Sequence, residues 1–155
     1  MKFEESVFIK SPIKSVFKFL SNYRSHKQFN AIYKETKHLS EGKMQKGSEL
    51  FSKIFFLGRK IETNSEVTEF EPEKALRFES KNGPVPSDTR YELLSEGEGT
   101  RVKLSFDIEP GSYFRLGETF LKPRLGKELE DSMKSLKKIL EAKALKEAAK
   151  QKAKG

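Results

Sequence analysis

RYELLSEGEGTRVKLSFDI, residues 90–108, is a β-hairpin written out in side chains. In its second arm Val102, Leu104, Phe106 and Ile108 alternate with Arg101, Lys103, Ser105 and Asp107. That is the two-residue period of a strand with one buried face. In the first arm Thr89, Tyr91 and Leu93 alternate with Arg90, Glu92 and Leu94, and Gly97-Glu98-Gly99 turns the chain. A connection this short joins antiparallel neighbours.

The same text continues towards the N-terminus. Leu76 and Phe78 alternate with Arg77 and Glu79 after the turn Glu71-Pro72-Glu73. Residues 60–70 alternate as well, with Ile61, Thr63, Ser65 and Val67 on one side. Two further strands are predicted over 47–57 and 32–39, punctuated by Gly58-Arg59 and Glu41-Gly42. At the start, Phe3, Val7 and Ile9 share a strand face with Glu5. Ser11-Pro12 then reads as a helix start, with Ser as N-cap and Pro at the first helical position. Ile13, Val16, Phe17 and Leu20 supply the apolar face, and a short second helix is expected over 23–28.

Beyond Pro110-Gly111 the period becomes helical. Leu125, Leu129, Met133, Leu136 and Leu140 form one long apolar stripe, preceded by Pro123 and Gly126, where a kink or a separate turn is expected. The stripe ends before the lysine-rich finish KKILEAKALKEAAKQKAKG, residues 137–155. Of the formal net charge of +8, residues 1–136 hold only 24 cations against 21 anions, and residues 137–155 hold 7 lysines against 2 glutamates. The expectation is a domain over 1–142 and a Lys/Ala-rich C-terminal tail over 143–155.

Four stretches together resemble the START-like (SRPBCC) superfamily, in its polyketide cyclase/dehydrase and lipid-transport branch. They are FEESVFIKSPIKSVFKFLSN (3–22), EVTEFEPEKALRFES (66–80), the hairpin quoted above and LGKELEDSMKSLKKILEA (125–142). Many relatives carry Trp in the first helix and near position 29, where this chain has Phe17 and Phe29. The resemblance implies an α+β helix-grip fold. In that fold a curved antiparallel sheet of about seven strands wraps a long C-terminal helix, with two short helices after the first strand. It also implies an apolar cavity between sheet and helix for a lipid, a polyketide or a quinone-like molecule.

On that expectation the inward-facing residues are the candidate ligand contacts: Glu49, Phe51, Thr63, Ser65, Phe78, Tyr91, Leu104 and Phe106 from the sheet, Leu129 and Met133 from the helix. The inward polar groups matter most, because a buried hydroxyl or carboxyl needs a partner; Glu5 and Thr89 belong with them. A binding role requires a cavity of roughly 300 Å³. The only histidines, His26 and His38, sit beside Lys27 and Lys37 in polar stretches and read as surface residues. No metal-site spacing, nucleophile elbow or phosphate loop occurs, so no catalytic residue, metal or cofactor is assigned.

Composition narrows the classes further. The chain has 155 residues, 35% apolar, or about 41% with its 10 Gly counted, against the about 45–50% (glycine included) usual for globular proteins. Yet 13 Phe and 4 Tyr are too many aromatics for a disordered chain. Absence of Cys excludes disulfides and thiolate chemistry. There is no apolar run of spanning length, and Met1-Lys2-Phe3-Glu4-Glu5 does not open like a signal peptide, so a cytoplasmic location is expected. Binding or transport of a hydrophobic small molecule is the first reading. A polyketide cyclase/dehydratase-type enzyme is the second, and a protein-interaction module acting on ribosome or respiratory components the third. No specific nucleic-acid partner is expected; the lysine tail offers weak contact with an anionic surface.

Overall fold

Each alternating run pairs with the next one along the chain, and the first strand pairs with the last. The computed structural model describes residues 1–154. Its strands are β1 (Lys2–Ile9), β2 (Tyr33–His38), β3 (Glu49–Phe56), β4 (Arg59–Glu71), β5 (Ala75–Asn82), β6 (Ser87–Glu96) and β7 (Gly99–Ile108). They form one antiparallel sheet in the order β1-β7-β6-β5-β4-β3-β2. Between β1 and β2 lie α1 (Ile13–Ser21), a 3-10 turn (Tyr23–Ser25) and the single-turn α2 (His26–Phe29); α3 (Glu118–Lys154) ends the chain. This is the helix-grip fold.

Two backbone features shape the sheet. Bulges interrupt the ladder between Tyr33 and Glu35, between Asn64 and Ser65 and between Val67 and Glu69. An extra residue on one strand bends it, so the sheet curls towards α3. Where β7 passes beneath the end of β1, a Cβ on Gly99 would collide with the Ile9 carbonyl and the Phe8 ring. Only glycine lets the two strands meet there.

The concave face is closed by α3. Leu129, Met133, Leu136 and Leu140 pack with Val16, Leu20, Leu50, Val67, Leu76, Tyr91, Val102 and Leu104 in one buried cluster. The convex face carries ion pairs instead, such as Arg77–Asp88 at 2.6 Å and Arg90–Glu69 at 2.8 Å. Half-exposed as they are, such pairs add modest stability each.

Three expectations shift. The first helix begins one residue later, with Pro12 in the cap position in extended conformation; Ser11 is buried, and its carbonyl accepts the Thr100 hydroxyl at 2.8 Å. Pro123 does not set off a separate turn: α3 runs through it, with the proline in its second turn. His26 is not a surface residue. It is fully buried among the rings of Tyr23, Phe29, Phe78 and Tyr91, and its Nε2 donates to the Leu20 carbonyl at 2.8 Å. Its polar neighbours in sequence hide the fact that a short helix turns this one ring inward.

Burial without a charge partner lowers the His26 pKa to about 4. The unfolded chain therefore takes up a proton below about 6.5 that the native protein refuses until about 4. The stability so contributed is full above pH 6.5 and is lost as pH falls through that window. Urea unfolding at pH 7 and 4.5 should show His26→Gln losing roughly 2–3 kcal/mol less than wild type between the two pH values. An NMR titration of the native imidazole with a midpoint above 6 would contradict this.

Candidate ligand-binding site

Between the sheet and the first turns of α3 the packing is incomplete, leaving two adjoining chambers. The outer chamber is wholly apolar, of about 50 Å³, with walls from Met1, Ile32, Phe56, Phe114, Leu121 and Leu125 among others. The inner chamber, also about 50 Å³, is lined by Tyr23, Tyr33, Ser52, Thr63, Ser65, Phe78, Val85, Ser87 and Thr89. Ile54, Ile61, Phe106 and Ile108 are walls of both.

Strand register produces the inner lining. On the concave face Thr36 stands opposite Ser52, and Ser52 opposite Thr63. Ser65, two residues after Thr63, lies on the same face of β4, and Thr89 and Ser87 follow on β6 beside Phe106 and Ile108. A band of hydroxyls thus crosses the sheet where a structural core would carry methyl groups. The Tyr23 hydroxyl joins it, hydrogen-bonded with Ser52 and Tyr33. Burial, and then the neighbouring phenols, hold Tyr23 well above the ordinary phenol range; Tyr33 is raised by burial too. The lining therefore offers neutral hydroxyls that donate and accept, and no side-chain carboxylate, imidazole or amine; the Met1 ammonium is turned to the Ile108 carbonyl and Asp107.

Only some of the expected contacts meet here. Thr63, Ser65, Phe78 and Phe106 line the inner chamber. Tyr91, Leu104, Leu129 and Met133 face inward but belong to the solid cluster under the middle of α3. Glu49 and Phe51 were expected inward and are not. Glu49 pairs with Lys81 at 2.8 Å, and Phe51 lies half-buried under Lys37 on the convex face. The inward residues of β3 are Leu50, Ser52, Ile54 and Phe56. Glu49 and Lys53 mark the outward parity, and two phenylalanines on that face obscure it. Glu5 is half-buried opposite Leu104 and lines neither chamber. Reasoning from β-alternation missed Tyr23 and Tyr33, which are carried in by the turn after α1 and by the bulged start of β2.

The expected cavity of roughly 300 Å³ is also corrected. Aromatic rings fill much of the concave space: Phe3 against Phe106, Tyr23 against Phe78, and Phe56 against Phe114. Over the outer chamber lies the segment from Glu109 to Gly117. It is tied to the β3–β4 hairpin by the Tyr113 hydroxyl donating to the Lys60 carbonyl at 2.7 Å and by Arg59 over the Tyr113 ring.

Comparison with known proteins agrees with this fold. Residues 1–141 match the family model described as polyketide cyclase / dehydrase and lipid transport. The chain belongs to that family. Among solved structures, a Thermus thermophilus protein superposes with a TM-score of 0.79 at 19% identity, over 93% of this chain and 99% of its own. A START superfamily protein from Mycobacterium smegmatis gives 0.76 at 14%, over 91% and 97%. The Zhui aromatase/cyclase from a Streptomyces species gives 0.75 at 13%, over 91% and 93%. At these identities the likeness is one of fold. No curated protein sequence matches the chain. No helix among the described residues is long and apolar enough to cross a membrane.

Within this family member the hydroxyl band has one loose end. The Thr36 Oγ1 is buried with no hydrogen-bond partner. An orphaned buried hydroxyl costs about 1–3 kcal/mol, so a methyl of the same shape should be better tolerated. Thr36→Val is expected to raise the urea midpoint, by about 1 kcal/mol in stability. A loss of that size instead would show that the hydroxyl is satisfied by a buried water or a bound molecule.

Proposed function

We propose that the protein binds a small, electrically neutral, mainly apolar molecule carrying one or two hydroxyl or carbonyl oxygens. The observation that supports this reading is the pairing of an apolar chamber with an uncharged, hydroxyl-lined one. An apolar body gains about 25 cal/mol per Å² of surface removed from water. A ketone or hydroxyl oxygen reaching Ser52, Thr63 or Thr89 exchanges its water for protein donors. A carboxylate or phosphate would be desolvated there with no cation to meet it.

Occupancy requires the chambers to widen, because drug-sized ligands fill about 300–1,000 Å³. The Glu109–Gly117 segment is the part able to move. It holds Arg115 at a φ of 56°, an unfavourable region for a side-chain-bearing residue, and beyond the Glu109 N–H bond to the Pro86 carbonyl at 2.9 Å its anchors are Tyr113 and Phe114. Lifting Phe114 and Leu121 would join both chambers to solvent. Membership of a lipid-transport and cyclase family fits such a pocket. Chemistry on a bound polyketide is the second reading. With only neutral hydroxyls at hand, the walls would act by holding the substrate in a reactive conformation.

Calorimetric titration with a medium-chain methyl ketone, the matching alcohol and the matching carboxylate should rank the two neutral compounds at least tenfold above the acid. Thr63→Val with Ser65→Ala should erase that preference, and Phe114→Ala should speed association. Equal or tighter binding of the carboxylate would overturn the reading, as would no heat from any of the three.

A further inference from the structure

The positive charge gathers on one end of the molecule. Between Glu5 and Glu35 the chain holds six cations, Lys10, Lys14, Lys18, Arg24, Lys27 and Lys34, and no acid. This segment is α1, the 3-10 turn and α2 with their flanks. The C-terminal half of α3 lies against it: Leu140 is in the core cluster with Phe19, and the Lys143 ammonium stands 4.6 Å from the Phe19 ring centre. Two open clefts flank α1. One, of about 340 Å³, lies towards α3 and includes Lys18, Asn22, Lys143 and Glu147. The other, of about 650 Å³, lies towards the β2–β3 connection and includes Lys18, Asn22, Arg24, Lys43 and no acid. They share Lys18 and Asn22, so the surface is continuous.

These cations carry no ion pair among the described residues, whereas several on the convex face of the sheet are paired. Arg77, Lys81, Arg90 and Arg101 each hold a carboxylate. Among the described residues no ion pair involves Lys18, Arg24, Lys43 or Lys143. Along α3 the row extends through Lys146, Lys150 and Lys154, at spacings of three, four and four residues, which keep one helix face. At 1.5 Å per residue the row from Lys143 to Lys154 is roughly 16 Å long.

We infer that this face binds the phosphate backbone of nucleic acid without regard to sequence. An extended row of unpaired cations running into two open clefts fits a long polyanion better than a compact one. A bilayer would need an apolar helix face opposite the lysines. Residues 142–154 offer alanines and the single exposed Leu145. No aromatic side chain is interleaved with the row along α3, and of the rings in the cleft walls Phe19 and Tyr23 are buried and Phe70 is half-buried, so the contact is to phosphates rather than to stacked bases. Glu147 is the one acid within the first cleft and sets a local limit on the contact. The inference is independent of the interior chambers.

Fluorescence anisotropy with a labelled 30-nucleotide RNA of mixed sequence tests it. With about six phosphates contacted, the log–log salt slope should be near −4, a loss of a few hundred-fold between 50 and 200 mM KCl. Charge reversal at K18E, R24E and K43E together should weaken binding and flatten the slope by about 2. K146E, K150E and K154E, all on an exposed helix face, should do the same without touching the core. Lys103→Glu on the convex sheet should leave binding unchanged. Failure to bind RNA at 50 mM KCl would overturn the inference. So would wild-type affinity in both triple variants, or capture by vesicles of neutral and anionic phospholipid with RNA ignored.

Discussion

The contact on which the rest of this structure depends is the seating of one helix in a curled sheet. Leu129, Met133, Leu136 and Leu140 bury one stripe of α3 against inward side chains of strands from both halves of the sheet. Each such side chain contributes roughly 1.5–3 kcal/mol when fully buried. That is enough to hold together a chain with only 35% apolar residues. The curl is a precondition: without the three bulges the sheet would present a flatter face. The hydroxyls of β3, β4 and β6 would then not converge on one side of the helix.

Seating the helix by its middle leaves its first turns with a looser task. Under Leu129 to Leu140 the interior is solid; under Leu121 and Leu125 it opens into the two chambers. The change in packing coincides with a change in chemistry. Aliphatic side chains give way to Ser52, Thr63, Ser65, Ser87 and Thr89, a choice that adds nothing to core stability and supplies neutral hydrogen bonding. His26 lies just behind this region and stays uncharged near neutral pH for the same reason that the tyrosines stay protonated: the surroundings offer no counter-charge.

Much of the fold was legible because its signal is local. Alternation in 90–108 and 60–70, and the leucine stripe of α3, each require only neighbouring residues to be read. The site was legible in part. Thr63, Ser65, Phe78 and Phe106 follow from strands whose two faces differ plainly in polarity. On β3 both faces are aromatic, and Glu49 and Phe51 were assigned inward when the charges of Glu49 and Lys53 mark that parity as outward. Tyr23, Tyr33 and His26 were invisible to periodicity, since a tight turn and a bulge, rather than a regular element, aim them. Cavity size was also beyond reach, because it depends on how many rings fold into the same space.

Seven isoleucines provide a direct test of the division between filled core and binding chamber. Ile32, Ile54, Ile61 and Ile108 line the chambers, whereas Ile9, Ile13 and Ile139 pack in or against the core away from them. With the isoleucine δ1 methyl groups labelled, an NMR titration with a neutral medium-chain ketone should shift the first four resonances and leave the other three in place. Uniform small shifts across all seven, or movement confined to Ile9, Ile13 and Ile139, would contradict the account.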